Sequence, residues 1–229
     1  MSTLSNLAGT YTLDPTHTQL GFVARHAMVT KVRGSFGAFE GTATTGANLA
    51  DARIEVTIQT ASVDTGNADR DAHLRSGDFF DVENYPTIRF ASTRITDAGD
   101  DILRVEGDLT IKDVTRPVSI DFDFEGAAQD PFGNERVGLS GQVVVNRKDF
   151  GLTWNAALET GGVLVSENVT LTFEISAIKD AAPAGAEPVV SEPVAVAEPV
   201  AEPVAEPAAS EQAGGILGWL KGILRPTAR

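Results

Sequence analysis

The stretch Leu103-Arg104-Val105-Glu106-Gly107-Asp108-Leu109-Thr110-Ile111-Lys112 decides the fold class. Leu103, Val105, Leu109 and Ile111 alternate with polar residues, so one face of an extended chain is apolar and the other wet. The next segment repeats the pattern: Val118, Ile120, Phe122 and Phe124 alternate with Ser119, Asp121, Asp123 and Glu125. Ile54, Val56 and Ile58 keep the same period, as do Val137, Leu139, Val143 and Val145, and then Val169, Leu171, Phe173, Ile175 and Ala177. Period 2 over so many runs predicts an all-β, antiparallel sheet with one buried face. Turn chemistry separates the runs at Asp97-Ala98-Gly99-Asp100, at Lys112 to Pro117, and at Gln129 to Asn134. One segment breaks the period. Ala68 to Ser76, with Asn67 as its cap and Gly77 at its end, predicts a short helix.

Composition narrows the function classes. The chain has 229 residues, with 18 Lys plus Arg against 32 Asp plus Glu, a formal net charge of -14. Phosphates would be repelled, so nucleic acid is not an expected partner. With no cysteine, disulfides, thiolate metal sites and Cys nucleophiles are excluded. Met1 to Ala8 does not read as a secretory signal peptide, and no run reaches the roughly 18 apolar residues of a membrane span. The expected location is cytoplasmic, with membrane association left to the far end of the chain.

Four regions follow: a flexible N-terminus (1–8), a β domain (9–180), a linker (181–213) and a tail (214–229). The linker is almost all Ala, Glu, Pro and Val, with Glu-Pro-Val starting at Glu187, Glu192, Glu198 and Glu202. Such a composition predicts a disordered, semi-extended spacer. In the tail, Ile216, Leu217, Trp219, Leu220, Ile223 and Leu224 fall on one face of an amphipathic helix, with Lys221 and Arg225 opposite and Pro226 as a stop. It suits a membrane surface or a groove in a protein partner, through residues 214–225.

Many strands with one apolar face either stack as two sheets or close on themselves. Phe22, Phe36, Phe39, Phe90, Phe122 and Phe124 neighbour Gly21, Gly37, Ala91, Gly107 and Gly141. Small residues beside aromatics leave a lumen or merely fill a taper, and the pattern alone favours a filled interior.

Several segments carry a more specific signal. Tyr11-Thr12-Leu13-Asp14-Pro15-Thr16-His17-Thr18 leads into Leu20-Gly21-Phe22-Val23-Ala24-Arg25-His26. Later come His73-Leu74-Arg75-Ser76-Gly77-Asp78-Phe79-Phe80, Tyr85-Pro86-Thr87 and Arg147-Lys148-Asp149-Phe150-Gly151-Leu152. In order and spacing, over about residues 9 to 179, these resemble the YceI-like family of lipocalin-like barrels that bind polyisoprenoids and related long-chain lipids. The resemblance implies an eight-stranded antiparallel barrel with a helix near residues 68–76 and an elongated apolar cavity. It also implies a binding protein, not an enzyme, with no cofactor beyond a bound lipid.

On that reading the lumen is lined by Phe22, Phe36, Phe39, Phe79, Phe80, Phe90, Phe122, Phe124 and Trp154. Arg25, His26, Lys31 and Arg33 are the candidates for a lipid head group, and the helix from Ala68 to Ser76 and the loop from Phe150 to Gly162 for a cover over the mouth. A carrier requires a continuous tunnel of several hundred Å3, on the order of an ordinary ligand pocket. The alternative is an interaction protein with an inert core and a functional tail. A distant third is a metal-dependent enzyme at the barrel mouth. For it, His17, His26 and His73 with Asp14, Asp69 or Asp71 are candidate ligands, but their spacing matches no short metal motif. No Gly-x-Ser-x-Gly nucleophile elbow is present.

Overall fold

Antiparallel pairing carries the chain from strand to neighbouring strand. A computed structural model describes residues 7–159 and 161–181. It contains β1 (Gly9–Leu13), β2 (Gln19–His26), β3 (Thr30–Phe36), β4 (Phe39–Thr45), β5 (Arg53–Gln59) and β6 (Val63–Asp64). After helix α1 (Ala68–Arg75) come β7 (Thr87–Asp97), β8 (Ile102–Ile111), β9 (Val114–Gln129), β10 (Glu135–Asn146) and β11 (Asn168–Lys179).

The pairing reduces these segments to an eight-stranded closed barrel. Both β1 and β2 run along β11, with Leu13 opposite Ala177 and Leu20 opposite Phe173. They are two halves of one strand. In the same way β4 pairs with β1 and β3 with β2, so β3 and β4 form the second strand, interrupted at Gly37 and Ala38. The third strand is β5 plus β6, interrupted by the 3-10 turn Thr60–Ser62. Strands β7 to β11 then follow as a meander, and β11 closes on the first strand. Closure satisfies the edges that an open sheet would expose.

The break after Leu13 shows how the ladder survives an interruption. The Asp14 amide donates to Ser176 O (2.9 Å). The hydroxyl of Thr18 then replaces a backbone partner: it donates to Ser176 O and accepts from Ser176 N, both at 3.0 Å. The buried Asp14 carboxylate accepts from the Thr16 amide and hydroxyl, lies 2.6 Å from His17 Nδ1, and pairs with Arg136 of β10. Arg136 Nε also donates to Asp130 (2.8 Å), so one guanidinium joins two carboxylates at the barrel seam.

The expected helix is present. Asn67 Oδ1 accepts from Arg70 N (2.9 Å), as the cap predicts. Its other end differs: Ser76, with N and Oγ both donating to His73 O, closes it, and Gly77 takes no left-handed conformation. The turn expected over Lys112 to Pro117 is also shorter. Lys112, at φ 58, and Asp113 suffice, and Val114 to Pro117 belong to β9. Pro117 is tolerated because β9 pairs with β10 only from Asp121 onward, so the missing N–H falls on an unladdered edge.

Two apolar clusters fill the barrel. One, around Tyr11, Ile95, Val105, Ile120 and Val137, occupies the closed end, opposite α1, and includes Leu7, so packing begins before Gly9. The other joins Val63, Phe79, Phe80, Ile88, Ile111 and Phe150 near α1. At that end β6 pairs only with β3, and β9 has parted from β10. The linker beyond Ala181 and the tail helix, residues 214–229, lie outside the described residues, as do residues 1–6.

The Asp14 carboxylate is held well below the usual range, first by the Thr16 hydroxyl and then by Arg136 and His17. Asp130 is lowered too, by Asn134 and Arg136. Depressed carboxylates stabilise the fold above their unfolded pKa, near 4, and that stability is lost as pH falls below it. Thermal melts from pH 7 to pH 2 should therefore show a steep loss below about pH 4. Asp14→Asn should be less stable at pH 7 and have a flatter profile.

Candidate functional site

Between the two clusters lies a cavity whose lining is wholly apolar. The inward residues of the strands supply it: Ile54, Val56 and Ile58 from β5, Val105 and Leu109 from β8, Leu139 and Val143 from β10, Leu171 and Ile175 from β11. These are the period-2 residues read from the sequence, and alternation alone places them inside. The space open to the centre of a water molecule is about 150 Å3. That is well below the several hundred Å3 expected, and on the scale of a cavity that holds one small aromatic molecule.

The expected aromatic lining is distributed differently. Phe36, Phe90 and Phe122 line the cavity, joined by Phe173. Phe22 does not; its ring stands behind Phe36 at 5.8 Å. Phe124 packs on the closed-end cluster, and Phe39 lines a shallow outer hollow with Pro15 and Thr57. Phe79, Phe80 and Trp154 belong to the cluster at the α1 end. There the His73 ring meets Phe79 edge-on at 5.0 Å and Trp154 at 4.5 Å, and its Nε2 lies 3.0 Å from Asp78. The loop from Phe150 to Gly162 packs at this same end through Phe150, Leu152 and Trp154.

Glycines set the bore of the barrel. The Phe90 ring crosses Gly107 so closely that a Cβ there would lie 2.4 Å from Cζ and 2.6 Å from Ala91 O. The Phe122 ring covers Gly141 and the Phe22 ring covers Gly34 in the same way. Rings laid flat on bare backbone leave the axis freer than rings standing upright.

The four head-group candidates fall elsewhere. Leu20 opposite Phe36 fixes the inner face of the β2–β3 pair, so Arg25 opposite Lys31, and Arg33 opposite Val23, face outward. His26 lies at the end of β2, bridged to Val165. None of the four lines the cavity. At the hairpin tip between them Met28 and Val29 are exposed, Val29 at 78%.

The three histidines are not brought together. His17 belongs to the Asp14 network, His73 to the aromatic cluster and His26 to the hairpin. Asp71 accepts from the Thr65 amide and hydroxyl and ties α1 to β6. Among the described residues no group of three or more His, Asp or Glu is arranged to hold a metal.

Sequence reasoning missed one residue at the α1 end. Arg147, in the 3-10 turn after β10, is 6% exposed. Its Nε donates to Ser166 O (3.0 Å), its Nη1 to Leu152 O, and its Cζ lies 5.9 Å from the centre of the Phe79 ring. Nη2 is buried without a partner. Burial lowers the pKa of Arg147, and nearby Glu167 partly offsets this.

A closed meander barrel with an apolar interior, a capped helix at one end and this register has a family counterpart. The model of the YceI-like domain matches residues 11–177. The chain belongs to the YceI-like family. A UPF0312 protein of Vibrio cholerae is 38% identical over 148 residues, 63% of this chain and 78% of the relative. BcnA of Burkholderia cenocepacia superposes with a TM-score of 0.63 at 23% identity, over 72% of this chain and 98% of that one. A polyisoprenoid binding domain from Saccharophagus degradans superposes with a TM-score of 0.59 at 18% identity, over 74% and 98%. The YceI-like match begins at Tyr11 in β1 and ends at Ala177 in β11, two strands that pair across the seam.

Gly107→Ala should drive the Phe90 ring off the wall and destabilise the barrel by about 1–3 kcal/mol, a fall of several degrees in Tm. Gly37 has no positive φ, and a methyl group placed on it would meet nothing within 4 Å, so it is the control. Gly37→Ala should change stability by less than about 0.5 kcal/mol in the same melts.

Proposed function

We propose that the barrel binds a long-chain isoprenoid lipid (a polyprenyl chain, an isoprenoid quinone or a similar amphiphile) in its interior, without catalysing a reaction. The observation that carries this reading is the lining: the cavity presents no polar side chain along its length. A dry apolar channel has nothing to offer a polar substrate, whereas each methylene buried in it gains about 0.8 kcal/mol. Twenty carbons would gain roughly 16 kcal/mol gross, against an association cost of about 4–15 kcal/mol. Membership of the YceI-like family and the likeness to a polyisoprenoid binding domain support the same class of ligand.

The cavity has to widen to take such a chain. The side chains able to make room are at the α1 end, where the wall is unladdered and is closed by Phe79, Phe80 and Trp154 rather than by strand pairing. In this proposal the lipid enters there and runs between the β5 and β10 walls toward Leu13 and Ile175.

The tail is proposed as an address. Its apolar face, from Ile216 to Leu224, with Lys221, Arg225 and Arg229 nearby, would hold the carrier to an anionic membrane surface or a protein groove on the cytoplasmic side. Support for this part comes from the sequence pattern alone. The rival reading, a filled barrel recruited by its tail, draws on the small size of the cavity.

Native mass spectrometry of the full chain and of a chain ending at Ala181 decides between them. One prenyl lipid retained by both forms is the expected result. No lipid in either, and no uptake of geranylgeraniol by delipidated protein, would sink the carrier. Leu139→Trp, which fills the cavity, should abolish uptake while preserving a cooperative melt.

A further inference from the structure

The hairpin joining β2 to β3 holds two apolar side chains out in water. Met28 is 53% exposed and Val29 78%. Val29 N donates to His26 O (3.1 Å) across a two-residue turn in which Ala27 and Met28 both take left-handed backbone, at φ 49 and φ 61. Asn and Gly enter such a turn with the least strain, and neither is present. A strained, water-exposed apolar tip is a cost to the free molecule and points to something that covers it.

The surroundings of the tip are basic in an acidic chain. From Pro15 to Phe39 there is no Asp or Glu, although the chain carries 32. Arg25, Lys31 and Arg33 face outward, and none of them makes an ion pair among the described residues. Arg25 and Lys31 stand opposite each other two or three residues behind the tip, about 7–10 Å along the strands. Among the described residues β3 gains its second neighbour only at Ser35, where β6 joins, so Lys31 and Arg33 lie on an open edge. Phe132 is more exposed still, at 88%, but its turn lies between Asp130 and Glu135. What sets the β2–β3 tip apart is the apolar pair together with cations that have no counter-charge.

The hairpin belongs to the α1 end of the barrel. His26 is bridged to Val165, Ala27 N donates to Leu164 O (2.7 Å), and Ser166 N donates to Arg25 O (3.0 Å). Leu164 to Ser166 follow directly on the loop from Phe150 to Gly162, which packs with Phe79 and Phe80.

We propose that the β2–β3 hairpin docks the barrel on an anionic lipid bilayer, with Met28 and Val29 in the interface and Arg25, Lys31 and Arg33 at the level of the lipid phosphates. Interfacial segments bury their apolar face by about 5–10 Å, which matches the distance from the tip back to the first cations. The docking site stands without the lipid-binding reading and without the tail. Combined with that reading, it turns the unladdered α1 end toward the membrane.

The chain has no cysteine, so an introduced one carries a single polarity-sensitive fluorophore. Thr30→Cys, beside the tip, and Phe132→Cys, at the opposite end, are labelled in the full chain. Each is mixed with vesicles of phosphatidylcholine, with and without phosphatidylglycerol. Emission at position 30 should shift to the blue on the anionic vesicles only, and emission at position 132 should not shift. Lys31→Gln with Arg33→Gln should raise the lipid concentration needed at position 30 about twentyfold, since each cation near an anionic surface is worth about fivefold. Val29→Asp should remove the shift while leaving the melt unchanged. Vesicles that hold the chain with no change at position 30 would overturn the proposal and leave the tail as the contact. Absence of any binding, or equal shifts at positions 30 and 132, would overturn it too. So would a response at position 30 to soluble polyglutamate that matches the response to vesicles, since the hairpin would then read an acidic protein.

Discussion

A sheet with one apolar face has to bury it, and this YceI-like barrel does so by closing on one seam. There the last strand meets a first strand that is interrupted in the middle. Five residues, Asp14 to Thr18, bulge out of the ladder, and β11 would lose its partner across them. The Thr18 hydroxyl takes over both roles of a backbone amide at Ser176, and Asp14 draws the bulge onto Arg136. Side-chain chemistry thus completes a job that the backbone leaves unfinished. The cavity, the α1 end and the position of Arg147 all presuppose a wall without a gap at this point.

Polarity is sorted with unusual strictness around that wall. Ion pairs such as Arg104 with Asp121 and Lys179 with Glu135 stay on the outside, where they contribute little to stability. The interior along the axis holds only hydrocarbon and aromatic rings. Arg147 is the exception among the described cations, buried against the Phe79 ring with one donor unused.

The barrel was legible because alternation is a local property. Leu103 to Ile111 or Val169 to Ala177 declare their inner faces without knowledge of any neighbour. The interruptions were not legible, because a strand broken at Gly37 or at Thr60 reads as two short strands, and only pairing shows that they continue one another. Among the aromatics inside strands, Phe36, Phe90, Phe122 and Phe173 reach the cavity while Phe22, Phe39 and Phe124 do not, because period assigns a face and not a depth along the axis. Phe79, Phe80 and Trp154 lie outside strands, where no period assigns a face. Arg25, Lys31 and Arg33 cluster in sequence, yet the same alternation that built the lumen turns them outward. Arg147 carried no sign of burial in its own neighbourhood of Asn146, Lys148 and Asp149. Its environment is made by Leu152, Ser166 and Phe79, which arrive from three other parts of the chain.

The two ends of the barrel differ in what holds them shut. At one end the seam itself is laddered, with β1 paired to both β4 and β11 and β10 to both β9 and β11, and parting these strands means breaking the ladders together. At the other, β6 and the first part of β9 each lack a partner on one side, and side-chain contact alone bridges the gap. Local opening there costs apolar contact but few backbone hydrogen bonds, so it belongs to the low-free-energy end of the protein's fluctuations. Amide hydrogens near α1 will exchange through such excursions, while those of β8 and the closed half of β10 wait for global unfolding. The barrel is in this sense a cup with a rigid base and a compliant rim, and the rate at which the rim opens would set an upper limit on how fast anything held inside could be exchanged.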